Sequence, residues 1–201
     1  MLKSIWFYWI VFWHNFSHFT RIYGLWHRLY SFLYHRKYIN VSLSIGISPR
    51  DAWDDISLLQ WKKDSWKELF DSVGDPRWVQ YCIDQIHNGH VQPEGSLDCD
   101  DFSIWCVNCI SDQNSPVYFT QSYMKTSYTA GGHAVCVYKD EGSYYHISNW
   151  GIRGPFTSMT EISNDIINGA NGLRAIGWSM YDHDLKLLNF SSNVPEENIA
   201  L

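Results

Sequence analysis

The sequence predicts an α+β fold in which helices come first and an antiparallel sheet follows. Apolar residues recur at helical spacing through most of the first 110 positions. After position 116, the segments alternate between apolar and polar residues and are rich in β-branched and aromatic side chains, which is typical of strands. With 201 residues, 45% of them apolar and 18% charged, the chain is large enough for one globular domain with a sizeable core.

Residues 1–47 form a basic, aromatic extension that we expect to be helical. The first 50 residues carry six Lys/Arg, four His and no acid, although the whole chain has a net charge of −6. Residues 4–36 have the periodicity of one or two amphipathic helices, and the apolar run Ile5–Phe12 is shorter than the roughly 20 residues that cross a bilayer. The segment suits an arm packed on the domain or a helix lying on a membrane surface through residues 1–40. Base-stacking aromatics and arginines would look similar, but no recognised motif supports nucleic-acid binding, so no nucleic acid is expected.

The domain proper is expected at 48–190, and its first helices have clear start signals. Ser48-Pro49 and Asp75-Pro76 each combine a capping side chain with proline at the first helical position. A tryptophan-bearing helical region is predicted from Pro49 to Phe70, and the second helix ends at Asn88-Gly89. A loop over residues 89–97 then leads to the next helix.

Cys99 is predicted at the first position of that next helix, because Asp98 is a good N-cap. Its apolar face recurs at i, i+3, i+4, i+7 and i+8: Phe102, Trp105, Cys106, Cys109 and Ile110. A thiol at a helix N-terminus is near unpaired amides and the positive end of the helix dipole, which both favour the thiolate. A small hydrophobe at the start of a core helix is the structural alternative.

The second half reads as strands joined by turns. The predicted strands are Val117–Tyr123, His133–Tyr138, Tyr144–Trp150, Leu173–Tyr181 and Lys186–Phe190. A helix with the capping box Ser158-x-x-Glu161 is expected before the fourth of them, ending at Asn168-Gly169. Residues 191–201 are expected to be a flexible tail.

Five cysteines and the lack of a secretory signal pattern favour free thiols in a reducing compartment, so we expect a cytoplasmic protein, with membrane association left open by the N-terminal extension. Cys106 and Cys109 have zinc-ligand spacing, but no second Cys/His pair accompanies them. We therefore expect these two in the core, and neither a metal nor a cofactor.

Three residue types in this order suggest a thiol nucleophile site. Cys99 opens a helix, His133 opens a strand after Gly-Gly, and Asn149 precedes Trp150 near the end of the next strand. In such a site the thiolate attacks a carbonyl, an imidazole carries the proton, and a third polar side chain orients the imidazole.

These segments resemble the bacterial and phage transglutaminase-like cysteine peptidases of the papain-like superfamily. The resemblance rests on Leu97–Phe102, on Gly132–Val135 and on the upstream pair Pro93-Glu94, and it covers about residues 75–185. It implies a papain-like or transglutaminase-like core in which the Cys99 helix packs on an antiparallel sheet. It also implies thiol-dependent hydrolysis, or transamidation, of a peptide or side-chain amide through an acyl-enzyme on Cys99.

The third member is where the sequence departs from this family, which usually has an aspartate there. The candidates are Ser148 and Asn149, and the hairpin register decides between them. A three-residue turn, 140–142, would pair residue 139 with 143 and place His133 opposite Asn149, and this is our prediction. A two-residue turn, 141–142, would turn Ser148 to the face of the histidine instead.

Donors for the developing oxyanion are also needed. The backbone N–H of Cys99 is one candidate and the side chain of Gln92 is the other, while Trp150 is a candidate substrate contact. Three aspartates around the thiol, at 98, 100 and 101, disfavour the thiolate unless they point away or are capped.

Two alternative functions stay open. One is a catalytically inactive transglutaminase-like fold used as a binding module, since the third member is altered and carboxylates surround the thiol. The other is a membrane-associated structural protein acting through residues 1–40. The sequence leaves open the substrate, the choice between hydrolysis and transamidation, and the oligomeric state.

Overall fold

The structure of the protein is a computed structural model. The residues it describes are 9, 12, 29, 38, 40–62, 75–95, 97–124, 130–170 and 173–192. The predicted helices of residues 4–36 lie outside the described residues except for three positions, and so do the helical stretch predicted after Lys62 and the tail beyond 192.

The described residues form four α-helices, one turn of 3-10 helix and six strands. The helices are α1 (Pro49–Ser57), α2 (Pro76–His87), α3 (Cys99–Cys109) and α4 (Met159–Gly169), with the 3-10 turn at Asp112–Asn114. The strands are β1 (Val117–Met124), β2 (Ala130–Asp140), β3 (Ser143–Ser148), β4 (Gly151–Phe156), β5 (Arg174–Tyr181) and β6 (Leu187–Ser191). None of the helices in the described part of the chain combines the length and the hydrophobicity that a membrane span requires.

All six strands belong to one antiparallel sheet, with the order β4-β3-β2-β1-β5-β6. The predicted α+β class with an antiparallel sheet is therefore confirmed. Helix α3 packs most closely against the central strand β2, and less extensively against its two neighbours, β1 and β3.

The predicted helix starts are confirmed by their caps. Ser48 accepts from the N–H of Asp51, and Asp75 accepts from the N–H of Arg77. The long tryptophan-bearing helix predicted from Pro49 is wrong in its extent, because α1 ends at Ser57 and the chain is non-helical through residue 62.

Strand β2 supplies side chains to a core on each side of the sheet, because successive residues of a strand point to opposite faces. Ala134, Cys136 and Tyr138 belong to the cluster that includes helix α3. Val135 and Val137 belong to the cluster that includes Ile162 and Ile166 of helix α4. The sheet is therefore a middle layer with α3 on one side and α4 on the other.

The β2–β3 hairpin has a two-residue turn, so the predicted three-residue turn is wrong. Asp140 pairs with Ser143 and Cys136 pairs with Ile147. The turn residues Glu141 and Gly142 both have positive φ, at 47° and 84°, as a type I′ turn requires. The predicted pairing of His133 with Asn149 is therefore not formed, and Ser148 takes the His133 side of the sheet.

The predicted strand Tyr144–Trp150 is also shorter than expected. Strand β3 ends at Ser148, Asn149 and Trp150 form a turn, and Ser148 pairs with Gly151 at the start of β4. Gly151 has φ of 123°, a conformation that few other residues adopt. This second hairpin places Asn149 and Trp150 at its tip.

Candidate functional site

Cys99 lies at the first position of α3, as predicted, and it is half-buried. Asp98 caps the helix: its carboxylate accepts from the N–H of Asp100 at 3.1 Å and also from that of Asp101. In return, the Asp101 carboxylate accepts from the N–H of Asp98 at 3.3 Å, which completes a capping box. The capping box therefore fixes the backbone of the first helical turn, which carries Cys99.

The three aspartates around the thiol are each bound to a donor. Asp98 and Asp101 are used in the capping box, and Asp100 Oδ1 accepts the hydroxyl proton of buried Tyr118 at 2.9 Å. The same Asp100 oxygen lies 3.9 Å from Cys99 Sγ, a distance at which a thiol donates weakly. Each of these carboxylates is therefore capped by at least one hydrogen-bond donor.

The other four cysteines are all in the core. Cys82, Cys106, Cys109 and Cys136 are fully buried and none forms a disulfide. Burial raises the pKa of Cys82 and of Cys109 to about 12, and it raises the pKa of the other two thiols well above the ordinary value. Cys106 and Cys109 lie in the core, as expected from the periodicity of α3.

The imidazole of His133 is buried and neutral. His133 lies on the same face of β2 as Val135 and Val137, which is the face that α4 covers. Burial and, to a smaller extent, the nearby imidazole of His146 together lower its pKa to about 4. Its ring stacks on the indole of Trp150, with centroids 4.3 Å apart and an interplanar angle of 15°. Its Nε2 atom is buried and has no hydrogen-bond partner in the described structure.

Asn149 lies next to the indole that covers His133. Its Oδ1 atom is buried and, among the described contacts, accepts no hydrogen bond. Ser148 is 2% exposed, and its hydroxyl accepts from the N–H of Trp150 at 3.1 Å. The structure therefore brings His133, Trp150 and the hairpin tip together, without a hydrogen bond between the imidazole and either candidate third member.

The side chain of Gln92 makes contacts other than the oxyanion contact predicted for it. Its side-chain amide pairs with the backbone of Gln60, accepting from the N–H at 2.6 Å and donating to the carbonyl at 3.1 Å. Lys62 and Leu97 exchange two backbone hydrogen bonds nearby, so residues 60–62 brace the loop that leads to Cys99. In this arrangement Gln92 anchors that loop rather than presenting its amide to an oxyanion.

Gly95 shapes the same loop through close packing. A Cβ atom at this position would lie 2.4 Å from Cζ2 of Trp78, whose indole is almost fully buried. The ring of Tyr38 packs on the same indole at a tilt of 37°, with centroids 4.9 Å apart. The approach to Cys99 is therefore fixed by an aromatic contact as well as by hydrogen bonds.

Two functional candidates were missed by the sequence reasoning. His146, opposite Val137, is fully buried and its Nε2 lies 2.9 Å from Oδ2 of Asp165. A two-residue turn in the β2–β3 hairpin, had it been predicted, would have placed His146 on the same face of the sheet as His133. Asp165 had no signal of its own, since the contact depends on where α4 packs.

A scan against models of known protein families and a search of curated proteins each gave no match.

Proposed function

We propose that this chain is a thiol-dependent amide hydrolase or transamidase with a papain-like, transglutaminase-like core. Cys99 is the nucleophile and His133 is its base. The observation that carries the proposal is the difference between Cys99 and the other thiols: it is half-buried at a capped helix start, whereas the other four are in the core with raised pKa values. Only a thiol that a substrate can reach acts as a nucleophile.

His133 is unprotonated at pH 7, because burial lowers its pKa to about 4. It can therefore accept the thiol proton as sulfur attacks a carbonyl carbon, but it is a weaker base than an imidazole that titrates near pH 7. The imidazolium then gives that proton to the leaving amine, and the acyl group stays on sulfur. Water or a second amine, deprotonated by the same imidazole, releases the acyl group as an acid or as a new amide.

Asn149 is assigned to orienting the imidazole. His133 Nε2 and Asn149 Oδ1 are both buried, and neither has a hydrogen-bond partner among the described residues. Unpaired polar atoms in a core cost free energy, so a hydrogen bond between these two atoms would be stabilising if the hairpin tip brought them together. Trp150 already holds that tip against the ring.

Hydrolysis and amine incorporation by the full-length protein test the proposal. Fluorescein-labelled casein reports amide hydrolysis, and incorporation of dansylcadaverine into casein reports transamidation. We expect one of the two activities, and we expect Cys99→Ser and His133→Ala to abolish it while Cys109→Ser, a thiol of the core, retains it. Activity that survives in Cys99→Ser would reject Cys99 as the nucleophile.

A non-catalytic binding module is the second candidate, and one observation favours it. The position of His133 in β2 places it on the face of the sheet that α4 covers, whereas Cys99 begins α3, the helix that packs on the opposite face. Catalysis therefore requires the imidazole to reach the thiol around the end of β2. Absence of both casein activities, together with alkylation of Cys99 at the same rate in wild type and His133→Ala, would favour this candidate.

A further inference from the structure

Behind His133 lies a second imidazole whose contacts the proposed reaction does not use. His146 is buried, and its Nε2 donates to Asp165 because a carboxylate can only accept. The neutral ring then has its lone pair on Nδ1, which is buried and has no partner among the described residues. The ring also stacks on Phe156 of β4, with centroids 5.6 Å apart.

The Asp165 carboxylate joins the two strands of the β3–β4 hairpin to helix α4. His146 and Arg153 are register partners across the hairpin. Asp165 binds both of them, with its two oxygens 3.2 and 3.4 Å from Nη1 of Arg153. One helical side chain therefore fixes the middle of the hairpin.

The same face of α4 also supports the hairpin tip. Gly169 is four residues after Asp165, so the two positions lie on one side of the helix. A Cβ atom at Gly169 would lie 3.5 Å from Cζ3 of Trp150 and 3.7 Å from Nη1 of Arg153. The indole of Trp150 thus lies between α4 and the His133 ring on which it stacks.

We propose that His146 and Asp165 are positioning residues for the reaction of Cys99: by tying the β3–β4 hairpin to α4, they hold Trp150 against His133 and so keep the base in place. This inference rests on the proposed function. The charged and titratable groups that face His146 are Asp165 from α4, Arg153 from β4 and His133 from β2.

The test measures how fast iodoacetamide alkylates Cys99 in the full-length protein at pH 7, with the site read by peptide mass spectrometry. We expect Asp165→Asn to slow the reaction about fivefold, a size typical of coupled neighbours. The matched control is Asp54→Asn, which removes an exposed carboxylate paired with Arg50 and should leave the rate unchanged.

A double variant separates positioning from general loosening of the fold. If Asp165 acts through His133, then His133→Ala/Asp165→Asn reacts no more slowly than His133→Ala alone. This inference is wrong if the rate reductions of the two substitutions multiply in the double variant, or if Asp165→Asn reacts at the wild-type rate. Neither result would affect the role proposed for His133. An unchanged rate in His133→Ala would reject the proposed function itself.

If Asp165→Asn folds poorly, two substitutions of His146 test the same inference. His146→Gln retains an N–H donor near the position of Nε2, whereas His146→Leu retains none. We expect the alkylation rate of His146→Gln to stay near wild type and that of His146→Leu to fall about fivefold. Equal rates in these two variants, each shown by urea denaturation to be folded, would contradict the positioning role.

Discussion

Acid should destabilise this protein through His133 in a predictable window of pH. The imidazole titrates near 6.5 in the unfolded chain and at about 4 in the folded protein, because burial disfavours its charged form. Between those two values the unfolded state binds the extra proton, so lowering the pH favours unfolding. The stability contributed by neutral His133 is fully present above 6.5 and is lost as the pH falls towards 4.

The size of this effect follows from the two pKa values. Their separation corresponds to about 3 kcal/mol in total, of which about 2 kcal/mol is lost between pH 7 and pH 5. The assay is urea denaturation at both pH values for wild type and for His133→Gln, which cannot titrate. We expect the free energy of unfolding of the wild type to fall by about 2 kcal/mol more than that of the variant. Equal losses in the two proteins would refute a buried, neutral His133.

Three further predictions concern the surroundings of Cys99. Iodoacetamide should label Cys99 alone in the native protein and all five cysteines in urea, and early native labelling of Cys82 would contradict the burial seen for it. Tyr118→Phe should lower the free energy of unfolding by about 1–3 kcal/mol, since buried Asp100 loses its hydroxyl donor; equal stability of the variant would show that the contact contributes nothing. Gly95→Ala should cost about 1–3 kcal/mol because the new Cβ meets the indole of Trp78, and the cost should shrink in a Trp78→Leu background; an undiminished cost there would assign it to the backbone.

The helix starts could be predicted because their causes are local. Asp98 caps α3 with backbone amides only two and three residues away, and Ser48 and Asp75 act in the same way at α1 and α2. Five of the six strands were predicted for a similar reason, since alternation is visible within a few residues. Strand β4 (Gly151–Phe156) was not predicted; its six residues include two glycines and a proline, which are uncommon in strands. The end of α1 was missed because tryptophans at helical spacing continued beyond Ser57, where the chain turns to pair with the loop before Cys99.

The register of the β2–β3 hairpin could not be predicted in the same way. Asp140-Glu141-Gly142 suits a three-residue turn, and the two-residue turn requires positive φ at Glu141, which a non-glycine residue adopts at a cost. The packing of β3 decides the matter, because a shift by one residue against β2 would reverse its faces and move Ile147 out of the cluster that includes α3. The surroundings of His133 follow from that register: His146 and Ser148 share its face, and Trp150 covers its ring.

If Cys99 forms an acyl-enzyme with the help of His133, that covalent intermediate can be trapped and located. The native protein is mixed with p-nitrophenyl acetate at pH 7, quenched in acid, and mapped by peptide mass spectrometry. We expect an acetyl group on Cys99 that forms far more slowly in His133→Ala and is absent in Cys99→Ser. Acetylation spread over lysines with Cys99 unmodified, or an equal rate on Cys99 without His133, would contradict it.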